Sequence, residues 1–268
     1  MNQDSIITKR PRLVLRISQS GMSFSGADSR AENQIVYEPF TPKSGISQAA
    51  NLREAFRSND LLANDWQRAL VVLDTPTLMI PLEEFAEETC EVLYHHAITG
   101  HDNDIVLDTV LPSLNAVVTF CINKDLKTVI DDHFSDVKYA HVCTPVWNHL
   151  HRRSFIGNRQ KLFGYFHDRR LDIFAYQQNR FKFQNSYPVQ RAADAVYFLL
   201  YVWKLLGFDQ RRDELHLVGT LPEKDVLQEE LRKYLKNVFV INPTGEFNRA
   251  PITGIKGIPY DLITHYIK

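Results

Sequence analysis

One pattern occurs twice in this chain, and it constrains the fold more than any other feature. Near the start, Leu13–Ile17 alternates toward a Ser20-Gly21 turn, residues 22–25 follow, and Ile35, Val36 and Tyr37 come after a polar loop. These read as three short antiparallel strands joined by tight turns. Ile46, Ala49, Ala50, Leu52 and Phe56 then recur at helical spacing. Residues 69–73 are apolar throughout and end at Asp74, as expected of a strand covered on both faces of a sheet.

The second occurrence begins near Lys161. Residues 162–166 lead into the polar turn His167-Asp168-Arg169-Arg170, and residues 171–176 and 180–183 complete another meander. Pro188 suits the first turn of a helix, which continues through Ala195, Leu199, Val202 and Leu206 to a stop at Gly207. A strand over 215–219, a charged helix over 222–236 and a strand over 238–241 close the unit. Between the two occurrences, 81–98 reads as a helix and Ile105–Leu111 with Ala116–Ile122 as a hairpin. A helix over 126–134 and a strand over 139–143 follow. Apolar density drops near 153–159, where Gly157-Asn158 breaks the chain, so the expected division is 1–155 and 156–268.

Composition narrows the classes. The chain of 268 residues carries 31 Lys and Arg against 32 Asp and Glu, a net charge of -1. That balance removes the main argument for a protein that coats nucleic acid or an anionic membrane. With 44% hydrophobic and 24% charged residues the chain is globular rather than disordered. Cys90, Cys121 and Cys143 are odd in number, far apart and set among apolar residues, as suits reduced thiols in a cytosolic protein. The first twelve residues offer no signal-peptide core. The longest apolar stretch, 192–208, is broken by Asp194 and Lys204 and falls short of the ~20 residues needed to cross a bilayer. A cytoplasmic protein is expected.

Meander, helix, strand, helix, strand, given twice, resembles the actin-like ATPase architecture of two ribonuclease-H-like domains. Phe183-Gln184-Asn185-Ser186-Tyr187, the helix with Ala193-Asp194-Ala195-Val196-Tyr197-Phe198-Leu199-Leu200, and Leu215-His216-Leu217-Val218-Gly219 are similar to a family of bacterial proteins of unknown function assigned that fold. The resemblance implies an α/β protein of two such halves, each a mixed sheet with a three-strand antiparallel meander and flanking helices.

Active members of that superfamily carry Asp-x-Gly-Thr/Ser at the first hairpin. The carboxylate holds hydrated Mg²⁺, and the residues beside it let backbone N–H groups wrap phosphate. Here the stretch is Ile17-Ser18-Gln19-Ser20-Gly21, with Ser18 in place of the acid and Ser20 in place of the glycine. In the second half Asp168 is the nearest acid. Its place in a turn predicts a solvated turn residue, with a displaced metal-site carboxylate as the alternative. The adenosine element, normally a strand running into Gly-Gly, is reduced to Val218-Gly219-Thr220. Ser18, Ser20, Gly21, Asp168 and Gly219 are therefore the candidate positions of degenerate nucleotide motifs, with no catalytic residue among them.

Other chemistry fares no better. A two-metal nuclease needs converging carboxylates, yet the first strand offers Arg16. Asp74 stands where a ligand could lie but is expected to cap the Thr75-Pro76 turn. His95-His96 point to different sides of a helix, and His149-x-His151 has two arginines beside it. No carboxylate or cysteine stands at zinc-like spacing, so no metal site is expected. P-loop, Rossmann and nucleophile-elbow motifs are absent.

Two basic clusters remain. Lys9-Arg10-Pro11-Arg12 is one; residues 149–153 with Arg159 and Lys161 are the other, readable as a patch for an acidic partner or RNA, or as a solvated face balanced by acids. The helix with Tyr197, Phe198, Tyr201 and Trp203 is apolar nearly all round, which predicts burial between layers, with a subunit contact as the other option. The Gly/Pro-rich segment 242–259 either covers the cleft or returns the chain to a last helix over 261–267.

The expected function is a non-catalytic binding or scaffold module with a protein partner, engaged through the inter-domain cleft. It has no cofactor and no role in nucleic-acid or membrane binding. The alternative is a divergent ATPase or phosphotransferase that binds ATP and Mg²⁺ in that cleft.

Overall fold

The first strand lies between two others in the middle of a sheet, and its burial sets the architecture around it. In the computed structural model, which describes residues 12–28 and 31–267, β1 (Leu13–Ile17) is buried at every position. It pairs antiparallel with β2 (Met22–Ala27) and parallel with β4 (Arg68–Leu73). Adding β3 (Ile35–Phe40) outside β2 and β8 (Asp136–His141) outside β4 gives a five-stranded sheet ordered β3-β2-β1-β4-β8. The helix α1 (Gln48–Ser58) connects the meander to β4. Ser47 caps it, its Oγ accepting the Ala50 N–H at 3.2 Å, and Ala49, Leu52 and Ala55 form its buried face. Burying Leu52 alone contributes about 1.5–3 kcal/mol.

The second half repeats this arrangement. Strands β9 (Lys161–His167), β10 (Arg170–Gln177) and β11 (Arg180–Pro188) form the meander, α5 (Ala192–Leu205) follows, and β12 (Glu214–Gly219), α6 (Lys224–Arg232) and β13 (Val238–Val240) complete it. The sheet order is β11-β10-β9-β12-β13, the same as in the first half. The α/β class and the doubled mixed sheet expected from the sequence are both present.

Between β4 and β8 the first half carries an insertion. It consists of β5 (Leu78–Pro81), α2 (Glu87–Ala97), β6 (Ile105–Leu111) and β7 (Ala116–Ile122), with a separate three-stranded sheet ordered β5-β7-β6; α3 (Lys124–Asp131), which follows and packs on α1, is the counterpart of α6. The hairpin of β6 and β7 has the expected limits. The single helix expected over 81–98 is instead the end of β5, a 3₁₀ turn over Leu82–Glu84 and α2.

Three further departures have physical causes. Pro188 ends β11 rather than opening a helix, because the ladder with β10 continues to the pair Arg170 and Pro188. The helix starts at Ala192, where the Asp194 carboxylate accepts the N–H groups of Gln190 and Arg191 at 3.1 and 3.0 Å. Residues read as a basic patch form a helix, α4 (Thr144–Ser154), whose buried face is Val146, Trp147, Leu150 and His151. The aromatic helix α5 is not buried all round. Ala195, Leu199, Val202 and Trp203 face the core, while Tyr197 and Tyr201 are 65% and 53% exposed on the opposite face.

The segment after β13 leaves the second sheet. It forms α7 (Pro243–Glu246) and α8 (Tyr260–Tyr266), and Phe247, Ile252, Tyr260, Leu262 and Ile263 join the core around β1. Glu246 fastens it there: its Oε1 lies 2.9 Å from both Arg153 Nη1 and His149 Nε2, and its Oε2 accepts the Tyr260 hydroxyl at 2.8 Å. The Lys9-Arg10-Pro11 part of the first basic cluster lies outside the described residues.

Candidate functional site

The carboxyl ends of β1, β4, β9 and β12 converge, and in open α/β sheets such a crevice is where ligands bind. Here it holds a dense group of charges. Arg16 interrupts an otherwise apolar strand, and it shares a face with Val14. Its Nε lies 3.0 Å from both carboxylate oxygens of Asp261 on α8, and its Nη2 lies 2.5 Å from Asp168 Oδ2. Asp261 also accepts the buried Tyr165 hydroxyl at 2.6 Å. The lone arginine in a buried strand was the sequence's clearest signal of this site. Its role as the hub was missed, because its partner Asp261 stands far away in the chain.

Asp168 was expected to be a solvated turn residue. It does occupy the β9–β10 turn, where Asp168 and Arg169 have φ of 44° and 61°, the geometry of a type I′ hairpin. That backbone aims its side chain into the crevice, only 13% exposed. Oδ1 accepts the hydroxyls of Ser18 at 2.7 Å and Ser20 at 2.6 Å, and Oδ2 faces Arg16 and His167 Nδ1. Burial would raise its pKa, but hydrogen bonds from His167 and Arg16 and the charge of Arg16 hold the carboxyl well below its ordinary range. Four donors on one carboxylate also hold the turn, offsetting the about 1–3 kcal/mol that left-handed Arg169 costs.

Ser18 accepts the Gly21 N–H at 3.2 Å, so the two hydroxyls and Gly21 form one hairpin end facing Asp168. Gly21 has ordinary backbone geometry and open space where a Cβ would stand. Gly219 is different. Its φ is +96°, and a Cβ there would lie 2.0 Å from the Phe166 carbonyl oxygen, which accepts the Thr220 N–H at 2.9 Å. The parallel pairing of β12 on β9 therefore requires this glycine. Ser20, Gly21, Asp168, Gly219 and Tyr260 line a cleft of about 330 Å³.

Beneath that cleft lies a second layer. His167, buried, stands between Asp172 Oδ2 at 2.5 Å from Nε2 and Asp168 at 3.3 Å from Nδ1, with Asp74 Oδ2 3.7 Å from Nδ1. Burial alone would lower the imidazole's pKa, but the hydrogen bonds to Asp168 and Asp172 and the charges of Asp172 and Asp74 push it up to about 10. Asp74 was expected to cap a turn. It is instead buried, pairs with His167, and has its pKa raised by that burial. His141, also buried, is held neutral: its Nε2 donates to the Thr75 carbonyl at 3.0 Å and its Nδ1 accepts the Cys143 N–H at 3.2 Å. Burial lowers it to about 3. Asp74, Asp168, Asp172 and Asp261 thus meet one guanidinium and one imidazolium, four acids for two cations, and Asp74 is the one whose pKa burial raises.

The second basic cluster is largely neutralised. His149 and Arg153 face Glu246, Arg159 reaches Glu214 at 3.5 Å, and Lys161 Nζ turns inward to the carbonyls of Ser154, Ile156 and Arg159. Among the described residues no helix is long and apolar enough to cross a membrane.

A family described as protein of unknown function (DUF3822) matches residues 2–238. A crystal structure from Bacteroides thetaiotaomicron VPI-5482, a protein with actin-like ATPase fold and unknown function, is 30% identical. The match covers 96% of this chain and all of the other, with a TM-score of 0.80. The structure of the PilM-PilN type IV pilus biogenesis complex is 12% identical, over 87% of this chain and 89% of the other, with a TM-score of 0.55. No curated protein matches the sequence.

Proposed function

This chain belongs to the DUF3822 family and has the actin-like ATPase fold, and we propose that it is a non-catalytic binding module in whose cleft the acid nearest the phosphate position is engaged by the protein's own side chains. One observation carries this reading: every lone-pair direction of Asp168 is taken. Ser18 and Ser20 saturate Oδ1, and Arg16 with His167 saturates Oδ2. A carboxylate so engaged has nothing to offer the hydration shell of Mg²⁺, and a guanidinium at 2.5 Å opposes a cation there. Gly219 serves strand packing, which accounts for it without a nucleotide. The residues present do not fit Mg-ATP.

The partner in this proposal is a protein, and the module is cytoplasmic in a bacterial cell. Three buried free thiols suit a reducing compartment. The same scaffold occurs in the PilM-PilN complex, an assembly of two proteins.

The competing reading, an ATP-binding phosphotransferase, draws on the remaining cleft of about 330 Å³ above the ion pairs. Thermal unfolding with millimolar Mg-ATP separates the two. A ligand at 100 times its Kd would stabilise the fold by about 2.7 kcal/mol. No shift relative to Mg²⁺ alone, and no phosphate release, is the expected result. A shift of several degrees that Asp168→Ala removes would overturn it.

A further inference from the structure

A second constellation lies away from the cleft, at the open end of the three-stranded sheet. β6 begins at Ile105, paired with Ile122 at the end of β7, so the turn before β6 is brought against Cys121. That turn is closed by the Asp104 N–H donating to the His101 carbonyl at 3.0 Å. Three different donor atoms meet there. His101 Nδ1 is 2.8 Å from Asp104 Oδ2, Cys121 Sγ is 3.4 Å from the same nitrogen, and Sγ is 3.6 Å from the same oxygen.

We propose that His101, Asp104 and Cys121 bind one divalent transition-metal ion of the zinc class, with water in the fourth position. An ion bound at about 2.3 Å to sulfur and about 2.0–2.1 Å to nitrogen and oxygen has tetrahedral edges of about 3.3–3.6 Å. The two edges to sulfur already have that length. The third is the hydrogen bond that the ion would replace. Thiolate, imidazole and carboxylate together favour Zn²⁺ over Mg²⁺ or Ca²⁺, which take oxygen ligands. Access is one-sided: the side chains of His101 and Asp104 are 25% and 17% exposed, while Cys121 is buried behind them. Asn123, which caps α3, donates to the other oxygen of Asp104 at 3.4 Å and orients the carboxylate.

A nucleophilic Cys-His-Asp relay is the rival reading, and the geometry rejects it. In such a relay one ring nitrogen serves the nucleophile and the other the acid. Here Nδ1 faces both. The other buried cluster, Cys143 with His167 and Asp172, is a poorer chelate because His167 already donates to Asp172 at 2.5 Å in a closed interior.

The test is a Co²⁺ titration of the untagged full chain, read by absorption, followed by displacement with Zn²⁺. One equivalent should bind with a thiolate-to-cobalt charge-transfer band. Cys121→Ser should abolish that band and Cys143→Ser should leave it unchanged. His101→Ala, at a half-buried turn position, should leave the thermal unfolding curve of the metal-free protein cooperative and weaken binding by more than the about 10–100-fold that an outer-shell change costs. A protein without the band, a band that survives Cys121→Ser, a band lost in Cys143→Ser, or affinity unchanged in His101→Ala would overturn the proposal.

Discussion

Arg16 of the first strand grips Asp168 of the second meander, Nη2 to Oδ2 at 2.5 Å, with the two side chains 8% and 13% exposed. The ion pair links the two repeated units across the crevice.

Removing one partner of such a pair leaves the other buried and uncompensated. Arg16→Ala should therefore cost about 3–5 kcal/mol in urea unfolding. Adding Asp168→Asn to it should recover part of that loss, since the orphaned charge goes with it. A single-variant loss below about 1 kcal/mol, the scale of an exposed pair, would mean that the contact is only a surface bridge.

Two histidines set opposite limbs of the stability–pH curve. His141 is held neutral down to about 3, so below the unfolded pKa of about 6.5 the unfolded chain binds the extra proton and stability falls with pH. His167 is held charged up to about 10, so its contribution is complete below about 6.5 and is lost as pH rises toward 10. Melting temperature should peak near neutrality. His141→Gln should flatten the limb between pH 3 and 6.5, and His167→Gln the alkaline limb. Unaltered limbs would contradict the assignment.

The glycines at the two motif positions should respond differently. Gly219→Ala forces a methyl to within 2.0 Å of the Phe166 carbonyl oxygen at φ +96°, and should destabilise the protein by about 1–3 kcal/mol. Gly21→Ala meets nothing within 4 Å and should be neutral or stabilising by up to about 1 kcal/mol. Equal effects in denaturant melts would refute the structural role given to Gly219.

Glu246 ties the C-terminal segment to α4 through His149, Arg153 and Tyr260. Glu246→Ala should raise amide exchange in α7 and α8 while leaving β1 and β4 protected. Unchanged exchange over 243–267 would show that apolar packing alone holds the segment.

How much of this was written in the chain can be judged from particular residues. The doubled meander was legible because strand and helix periodicities are local, read within windows of five to fifteen residues. Helix α4 was not, because its histidines and arginines hid the short apolar face of Val146, Trp147 and Leu150. The replacement of the first motif's acid by Ser18 was plain in the sequence. That Asp168 would take both Ser18 and Ser20 as donors was not, since a turn aspartate looks the same whether it faces water or a crevice.

The sequence by itself determined the two repeated α/β units and the absence of a charge excess. Only the tertiary structure decided which charged and donor groups meet. Arg16 meets Asp261 across 245 positions and Asp168 across 152, and His101 meets Cys121 across the β6–β7 hairpin. Charge pairing and metal chelation depend on distances of a few ångströms. Spacing along a chain reports such distances only within one element, so these sites became readable once the strands were paired.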